Sequence, residues 1–436
     1  GVIQGLSRVA GLRVLARSTV FRFNQHRLVT NAPAVGRQLG VGAVLTGQLV
    51  SRSNVFELRF ELVRSGDGSL IWGDSWRRSH SGLQGAEKDL AQGIARRMHV
   101  PLSAADDQRL GRPDTVDPEA YRWYLEGRHH LALRTRESGA LAEARFRQAV
   151  AKDPDFALAY LGLAEAVGLR VVFDPHETSE VRRLAEKVLE LDPASGQAHA
   201  ILGMLARYQW DWEGAERHFI KATTLSPGGE RGWHWYGLLL NILGRPQEAE
   251  AALRRALDLD PLVPGIRWGL VLVVLNRGDL AEGRRLAQEL KQLAPGHVTS
   301  VYAEYVVLMC EGRTEEALGL VRAAAERFPN DPSLRFCAGF SLGTLGRREE
   351  ALEIARAIES MGMRDLGYYH AAAIHAALED WDRVFDLLEK AVEARQDMVT
   401  EATFHPLGRA VRSHPRYARL LEMLRLPQNP PSNPGP

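Results

Sequence analysis

Few side chains in this 436-residue sequence stand where chemistry could be done. Three compact clusters hold the reactive types: His129 beside His130, His176 beside Glu177, and the run Trp210, Asp211, Trp212, Glu213. Paired histidines, or a histidine beside a glutamate, could begin a metal or acid–base site, but a ligand set must converge, and adjacent positions on a helix point apart. His129 and His130 fall at the end of a helical run, where solvation of the helix end is the ordinary reading. Trp210 and Trp212 flank an inter-helix turn, where ring packing is ordinary. Cys310 and Cys337 lie 27 residues apart and match neither CxxC nor zinc spacing, so buried thiols are expected. The chain has no Walker loop, no GxGxxG after a strand, no HExxH and no GxSxG. The kinase glycine loop, HRD and DFG signatures are missing too. No catalytic residue, metal or cofactor is expected.

Bulk properties narrow the partners further. With 55 basic against 54 acidic residues the net charge is +1, which gives no global electrostatic case for nucleic acid or an anionic membrane. No apolar run approaches the ~18 residues needed to cross a bilayer, so no membrane insertion by this chain is expected.

The elements that position these residues announce themselves by punctuation. Pro193, Pro227, Pro261, Pro295 and Pro329 stand 34 residues apart, and Gly244, Gly278, Gly312 and Gly346 keep the same step. Proline lacks the N–H needed to continue a helix, so it closes the second helix of each unit. Glycine takes the positive φ that ends the first. Between them the apolar residues recur at helical spacing: Leu202, Gly203, Ala215, Phe219 and Ala222 in one unit, Tyr236, Gly237, Ala249, Leu253 and Ala256 in the next.

This pattern resembles the tetratricopeptide repeat. Trp233, Tyr236, Gly237, Ala249, Ala256 and Pro261 form the best copy. Val271 and Tyr305 depart from it where Gly237 and Gly339 conform, and Gly283 replaces the usual alanine. An earlier unit carries Ala142, Phe146, Ala149 and Pro154, and the 39-residue step from Pro154 to Pro193 places a longer loop at residues 171–179. After Pro329 the array continues through Ala351, Ala355, Trp381 and Ala391, with Asp380 at the glycine place. Residues 404–421, with Phe404, His405, Pro406, Arg412, His414 and Tyr417, are similar to the closing segment of such arrays in bacterial signalling proteins. The expected fold is mostly α, a tetratricopeptide-repeat α-solenoid with a small N-terminal α/β domain.

The resemblance also implies a binding face. The fifth place of each first helix, which lines the concave side in the family, holds Ala200, His234, Trp268, Tyr302 and Phe336. The second and twelfth places of one unit hold Arg231 and Asn241, and Asn276 lies near the stripe. Arg231, His234, Asn241, Trp268, Asn276, Tyr302 and Phe336 are therefore the candidate site for an extended or helical peptide, against the alternative that the rings pack between helices. The basic residues that grip a chaperone tail are absent: Ala200, His234 and Trp268 occupy those places.

Residues 1–100 follow another pattern. Phe56, Leu58, Phe60 and Leu62 alternate with Glu57, Arg59 and Glu61, which is a half-buried strand. Strands at 41–49 and 69–76 flank it, with turns at Ser53-Asn54 and Gly66-Asp67-Gly68. Helices at 3–9, 34–39 and 82–98 and a short strand at 12–16 complete the order helix, strand, helix, three strands, helix. Segments GLRVLARSTVFRF (11–23), VGRQLGVGAVLTGQL (35–49) and LVRSGDGSLIWGD (62–74) are similar to the domain, related to the amino-terminal domain of TolB, that precedes such repeats in bacterial serine/threonine kinases, adenylate cyclases and winged-helix regulators.

The expected organisation is then a TolB-like domain at 1–100, a linker at 101–116, the repeats at 117–425 and a disordered tail at 426–436. The resemblance implies a first strand, and a kinase, cyclase or winged-helix domain, before Gly1. It implies a non-catalytic regulatory region that binds a protein or peptide partner, not nucleic acid, in a signal-transduction protein; the alternative is a small-ligand sensor coupled to the repeats. Relatives place this region in the cytoplasm or on the extracytoplasmic face of the bacterial inner membrane, and the sequence does not choose.

Overall fold

The computed structural model describes residues 2–7, 9, 12–17, 19–20, 31–52, 55–79, 82–102, 115–133, 135–171, 178–360 and 367–427. The turn expected at Ser53-Asn54, the His176-Glu177 cluster, residues 21–23, most of the linker and the tail from 428 lie outside them. The chain is a mostly helical array of paired helices with a small N-terminal three-stranded antiparallel sheet.

The small sheet runs in the order β1 (Ala43–Arg52), β2 (Val55–Arg64), β3 (Leu70–Ser79), flanked in sequence by α1 (Val2–Leu6), α2 (Ala32–Gln38) and α3 (Leu83–Arg97). The alternation in β2 buries Phe56, Phe60 and Leu62 as expected. Phe60 meets Trp72 and Trp76 edge-on at 4.6 and 4.8 Å between centroids, and the Arg97 guanidinium sits 4.2 Å from the Trp72 ring. These rings pack against a core in which Leu6 of α1 and Leu90, Ala91 and Ile94 of α3 meet Phe60 and Leu62 of β2. The strand expected at 12–16 is not one. The segment reaches residues 258–260 instead: Ala16 N donates to Leu259 O at 2.9 Å, the Arg13 side chain reaches Asp258 O at 3.3 Å, and the Thr19 hydroxyl donates to Asp260 at 2.5 Å. Thr19 and Asp260 are both shielded from water, so their mutual bond satisfies two buried polar side chains.

The repeats begin with α4 (Pro118–Leu133), α5 (Arg136–Lys152), α6 (Ala157–Val171) and α7 (Thr178–Leu191). There follow α8 (Gly196–Tyr208), α9 (Trp212–Leu225), α10 (Glu230–Ile242), α11 (Pro246–Leu259), α12 (Pro264–Asn276) and α13 (Leu280–Leu293). The last pairs are α14 (Val298–Cys310) with α15 (Thr314–Arg327), α16 (Pro332–Thr344) with α17 (Arg348–Ser360), and α18 (Gly367–Ala377) with α19 (Trp381–Glu393). Each of the five spaced prolines stands just beyond a second helix. The glycine ladder has positive φ at Gly244, Gly278, Gly312 and Gly346, and the same backbone continues one step back at Trp210, φ 58°. Near α19 the left-handed residue is Glu379 rather than Asp380, which instead stands at the helix N-cap.

Small residues on first helices let large ones on second helices approach. A Cβ on Gly203 would meet Phe219 at 2.8 Å, and one on Gly162 would meet Phe146 at 2.4 Å. Gly283 reverses the roles: on the second helix α13, it leaves room for Leu275 of the first helix α12. Where Tyr305 replaces the small residue, its ring is buried and its hydroxyl donates to Cys337 O at 2.9 Å.

Contacts divide the chain into two compact units. One holds residues 1–206, 213–233 and 258–262, so the small sheet and the first helix pairs belong together. The other holds 207–212, 234–257 and 263–436. Beyond α19 this second unit continues through 3-10 helices Asp397–Thr403 and Pro406–Gly408, then α20 (Arg409–Arg412) and α21 (Tyr417–Met423).

Candidate peptide-binding face

First helices recur by translation, so residues 34 apart take equivalent places. His234 on α10, Trp268 on α12, Tyr302 on α14 and Phe336 on α16 are each partly exposed, as a binding row requires. Each also reaches toward the next repeat. The Trp268 and Tyr302 rings lie 6.4 Å apart, the Tyr302 hydroxyl donates to Asp331, the N-cap of α16, and Phe336 stacks on His370 at 4.3 Å and 6°. His234 packs beside Gly265, and burial pushes its pKa down to about 4. The rings thus pack between neighbouring repeats while keeping part of their surface exposed. Ala200 is simply buried.

Two of the polar candidates, Arg231 and Asn276, make bonds within the fold. Arg231 bonds Glu165 Oε1 at 2.7 Å while Arg128 bonds Glu165 Oε2 at 2.9 Å. Burial pushes the Glu165 carboxyl up, but the two guanidiniums outweigh it and hold the pKa below the usual range. Arg231 is therefore an internal counter-ion. Replacing it by alanine is expected to cost about 2 kcal/mol, because a charged hydrogen bond is lost at a nearly dry carboxylate. Urea unfolding of Arg231→Ala against wild type measures it; an unchanged midpoint would show that Arg128 suffices. Asn241 is buried, and its Oδ1 meets no hydrogen-bond donor among the described residues. Asn276 accepts from Arg412 at 3.0 Å.

That last bond exposes what the sequence reading did not anticipate: the closing segment lies across the ends of first helices within the second unit. Asp397 pairs with Arg207 at 2.9 Å, Thr403 donates to Ile242 O at 3.4 Å, and Arg409 donates to Leu275 O at 3.1 Å. Farther on, Trp212 Nε1 donates to Leu424 O at 2.8 Å, and Arg395 stacks on Trp210. Part of the reason is general: a helix C-terminus favours cations, and Arg409 stands at the end of α12 although Leu275 O already accepts from Gly278 N. The signal was present. Arg207 stands one 34-residue step before Asn241, at the same twelfth place.

Burial shapes the electrostatics of this segment. His405 is pushed down to about 3 by burial and by Arg412 and His370, and its Nδ1 accepts from Leu407 N, as a neutral ring must. Glu401 is pushed up to about 8 by burial and by Asp397, against the weaker pull of Arg207. No group of side chains with a metal-ligand arrangement occurs among the described residues, and His129 and His130 lie on α4 with rings 5.6 Å apart. Of the two cysteines, Cys337 is buried and Cys310 half-buried, and both are free thiols. No described helix is long and apolar enough to cross a membrane.

Comparison with known proteins agrees with the helix pairs. The tetratricopeptide-repeat family model matches residues 237–298. A Rhizobium meliloti protein assigned as adenylate cyclase 3 is 26% identical over 261 residues, covering 58% of this chain and 38% of its own. The transcriptional regulator HilA of Salmonella typhimurium is 25% identical over 297 residues, covering 66% of this chain and 52% of its own. The chain thus spans about half or less of these relatives. Among solved structures, a tetratricopeptide repeat protein of Parabacteroides merdae aligns with 60% of this chain and 98% of its own at 15% identity and TM-score 0.44. YrrB, a repeat protein described as having an unusual peptide-binding site, aligns with 42% of this chain and 93% of its own at 23% identity and TM-score 0.33.

Proposed function

We propose that this chain is a non-catalytic, protein-binding regulatory region of a bacterial signal-transduction protein, and that its first-helix face takes a partner peptide. The observation that carries the reading is the partly exposed row His234, Trp268, Tyr302 and Phe336 on successive first helices. Flat, rigid rings at a fixed step suit an extended or helical ligand, because they offer large contact area at low entropic cost. Similarity to an adenylate cyclase and to a transcriptional regulator supports the signalling setting, with a cyclase, kinase or winged-helix domain as the output. The TolB-like identity of the small sheet domain belongs to the same proposal.

A peptide array probed with the whole chain tests the face. Trp268→Ala and Tyr302→Ala are each expected to weaken array binding at least tenfold, as loss of a central aromatic anchor does, with helicity unchanged. Their melting temperatures should move by less than about 3 °C in a chain of this size. A large melting loss with binding intact would assign the rings to inter-helix packing alone and end the proposal.

A further inference from the structure

The closing segment behaves as a ligand already seated. Between Asp397 and Arg412 it has no helix longer than seven residues, and it is held by groups that belong to the repeats: Arg207 on α8, Ile242 O on α10, and Leu275 O with Asn276 on α12. Its contacts advance from one first-helix end to the next as its own sequence advances, which is how a bound peptide is read by a repeat array. Val399 and Phe404 sink apolar side chains between these polar clasps. Beyond them, α21 packs on α19 through its own buried Leu420 and Leu421, so the segment keeps an anchor when the stretch before it lifts.

We propose that residues 396–412 are an autoinhibitory strap, an intramolecular occupant of the first-helix ends that a partner peptide of matching pattern displaces. That pattern is an acidic residue for Arg207, apolar side chains two and seven positions later, and arginines twelve and fifteen positions later for the end of α12. Tethering gives the strap an effective concentration on the order of millimolar, so a free peptide competes poorly until the clasps are weakened. The Asp397 side chain keeps 36% of its surface exposed beside Arg207, which leaves that clasp open to a competing carboxylate.

The inference rests on the binding role argued above, but its test uses the chain's own sequence and so is independent of the Trp268 and Tyr302 result. A fluorescein-labelled peptide of residues 396–416 is titrated, by anisotropy, into the full chain and into a full-chain variant carrying Asp397→Asn, Arg409→Ala and Arg412→Ala. The variant is expected to bind the peptide at least tenfold more tightly than wild type, and adding Asn276→Ala should reverse the gain. Failure of the folded variant to take up the peptide overturns the proposal. If the triple variant does not fold, Asp397→Asn alone is followed by hydrogen exchange. Amides 397–405 should then exchange at least tenfold faster with α12 and α14 unchanged; strap and helices exchanging together would show a fixed part of the core and overturn it.

Discussion

Acidification from pH 6.5 to 5 is expected to destabilise the fold by about 1–4 kcal/mol per pH unit, with the stability maximum at about pH 7. Four histidines carry the effect: burial lowers His234 and His370 to about 4, burial with His218 and Lys221 lowers His199 to about 4, and burial with Arg412 and His370 lowers His405 to about 3. The unfolded chain takes up protons at each as pH falls through about 6.5, while the folded chain refuses them until much lower. Their stability is thus whole above 6.5 and is lost on the way down to about 4. Glu401 acts in the opposite sense. With a folded pKa raised to about 8, it stabilises fully below its unfolded value and loses that contribution as pH rises toward 8. It therefore offsets one histidine between about 4.5 and 7 and, above that, makes stability decline. Urea unfolding by circular dichroism at pH 8, 6.5 and 5.5 gives the curve directly. His405→Asn, which keeps an acceptor for Leu407 N, should flatten the acid limb by roughly a third. A flat profile between 6.5 and 5 would contradict the burial of these rings.

Phe146→Ala is expected to cost about 3–5 kcal/mol, the usual range for emptying a fully buried aromatic site. Phe146 has no exposed surface and projects from α5 between Gly127 and Gly162, with Tyr124 6.0 Å away. Those glycines exist in the packing because the ring does: a Cβ at either would stand within 3 Å of it. Neighbouring backbones therefore cannot fill the void by small shifts. In a repeat array each pair is held chiefly by its neighbours, so the loss should surface as early, separate melting of α4–α7 rather than a uniform shift. Calorimetry with hydrogen exchange would see a low-temperature transition confined to those helices. A single shifted transition would show stronger coupling along the array than nearest-neighbour packing supplies.

Helix pairs were legible because Pro and Gly constrain the backbone wherever they stand, whatever surrounds them. The strand Val55–Arg64 was legible because its alternation is local. Residues 12–16 were misread as a strand because extended backbone of apolar character satisfies its hydrogen bonds wherever a partner lies, and here that partner is Leu259. Trp210 was missed as a member of the glycine ladder because only its φ, not its side chain, belongs there. Arg231 and Asn276 were read as part of the peptide-binding face, but which charge answers each depends on chain returning from far away, Glu165 in one case and Arg412 in the other. Local pattern carries no record of such returns.

Bonds joining residues 13, 16 and 19 to residues 258–260 span up to 245 positions. A ribosome adding roughly 5–20 residues per second would leave that N-terminal stretch waiting about 12–50 seconds for its counterpart to emerge. Nascent chains of this protein therefore spend an appreciable interval with Thr19 and its neighbours unsatisfied, and the seam is among the last pieces of the first unit to close.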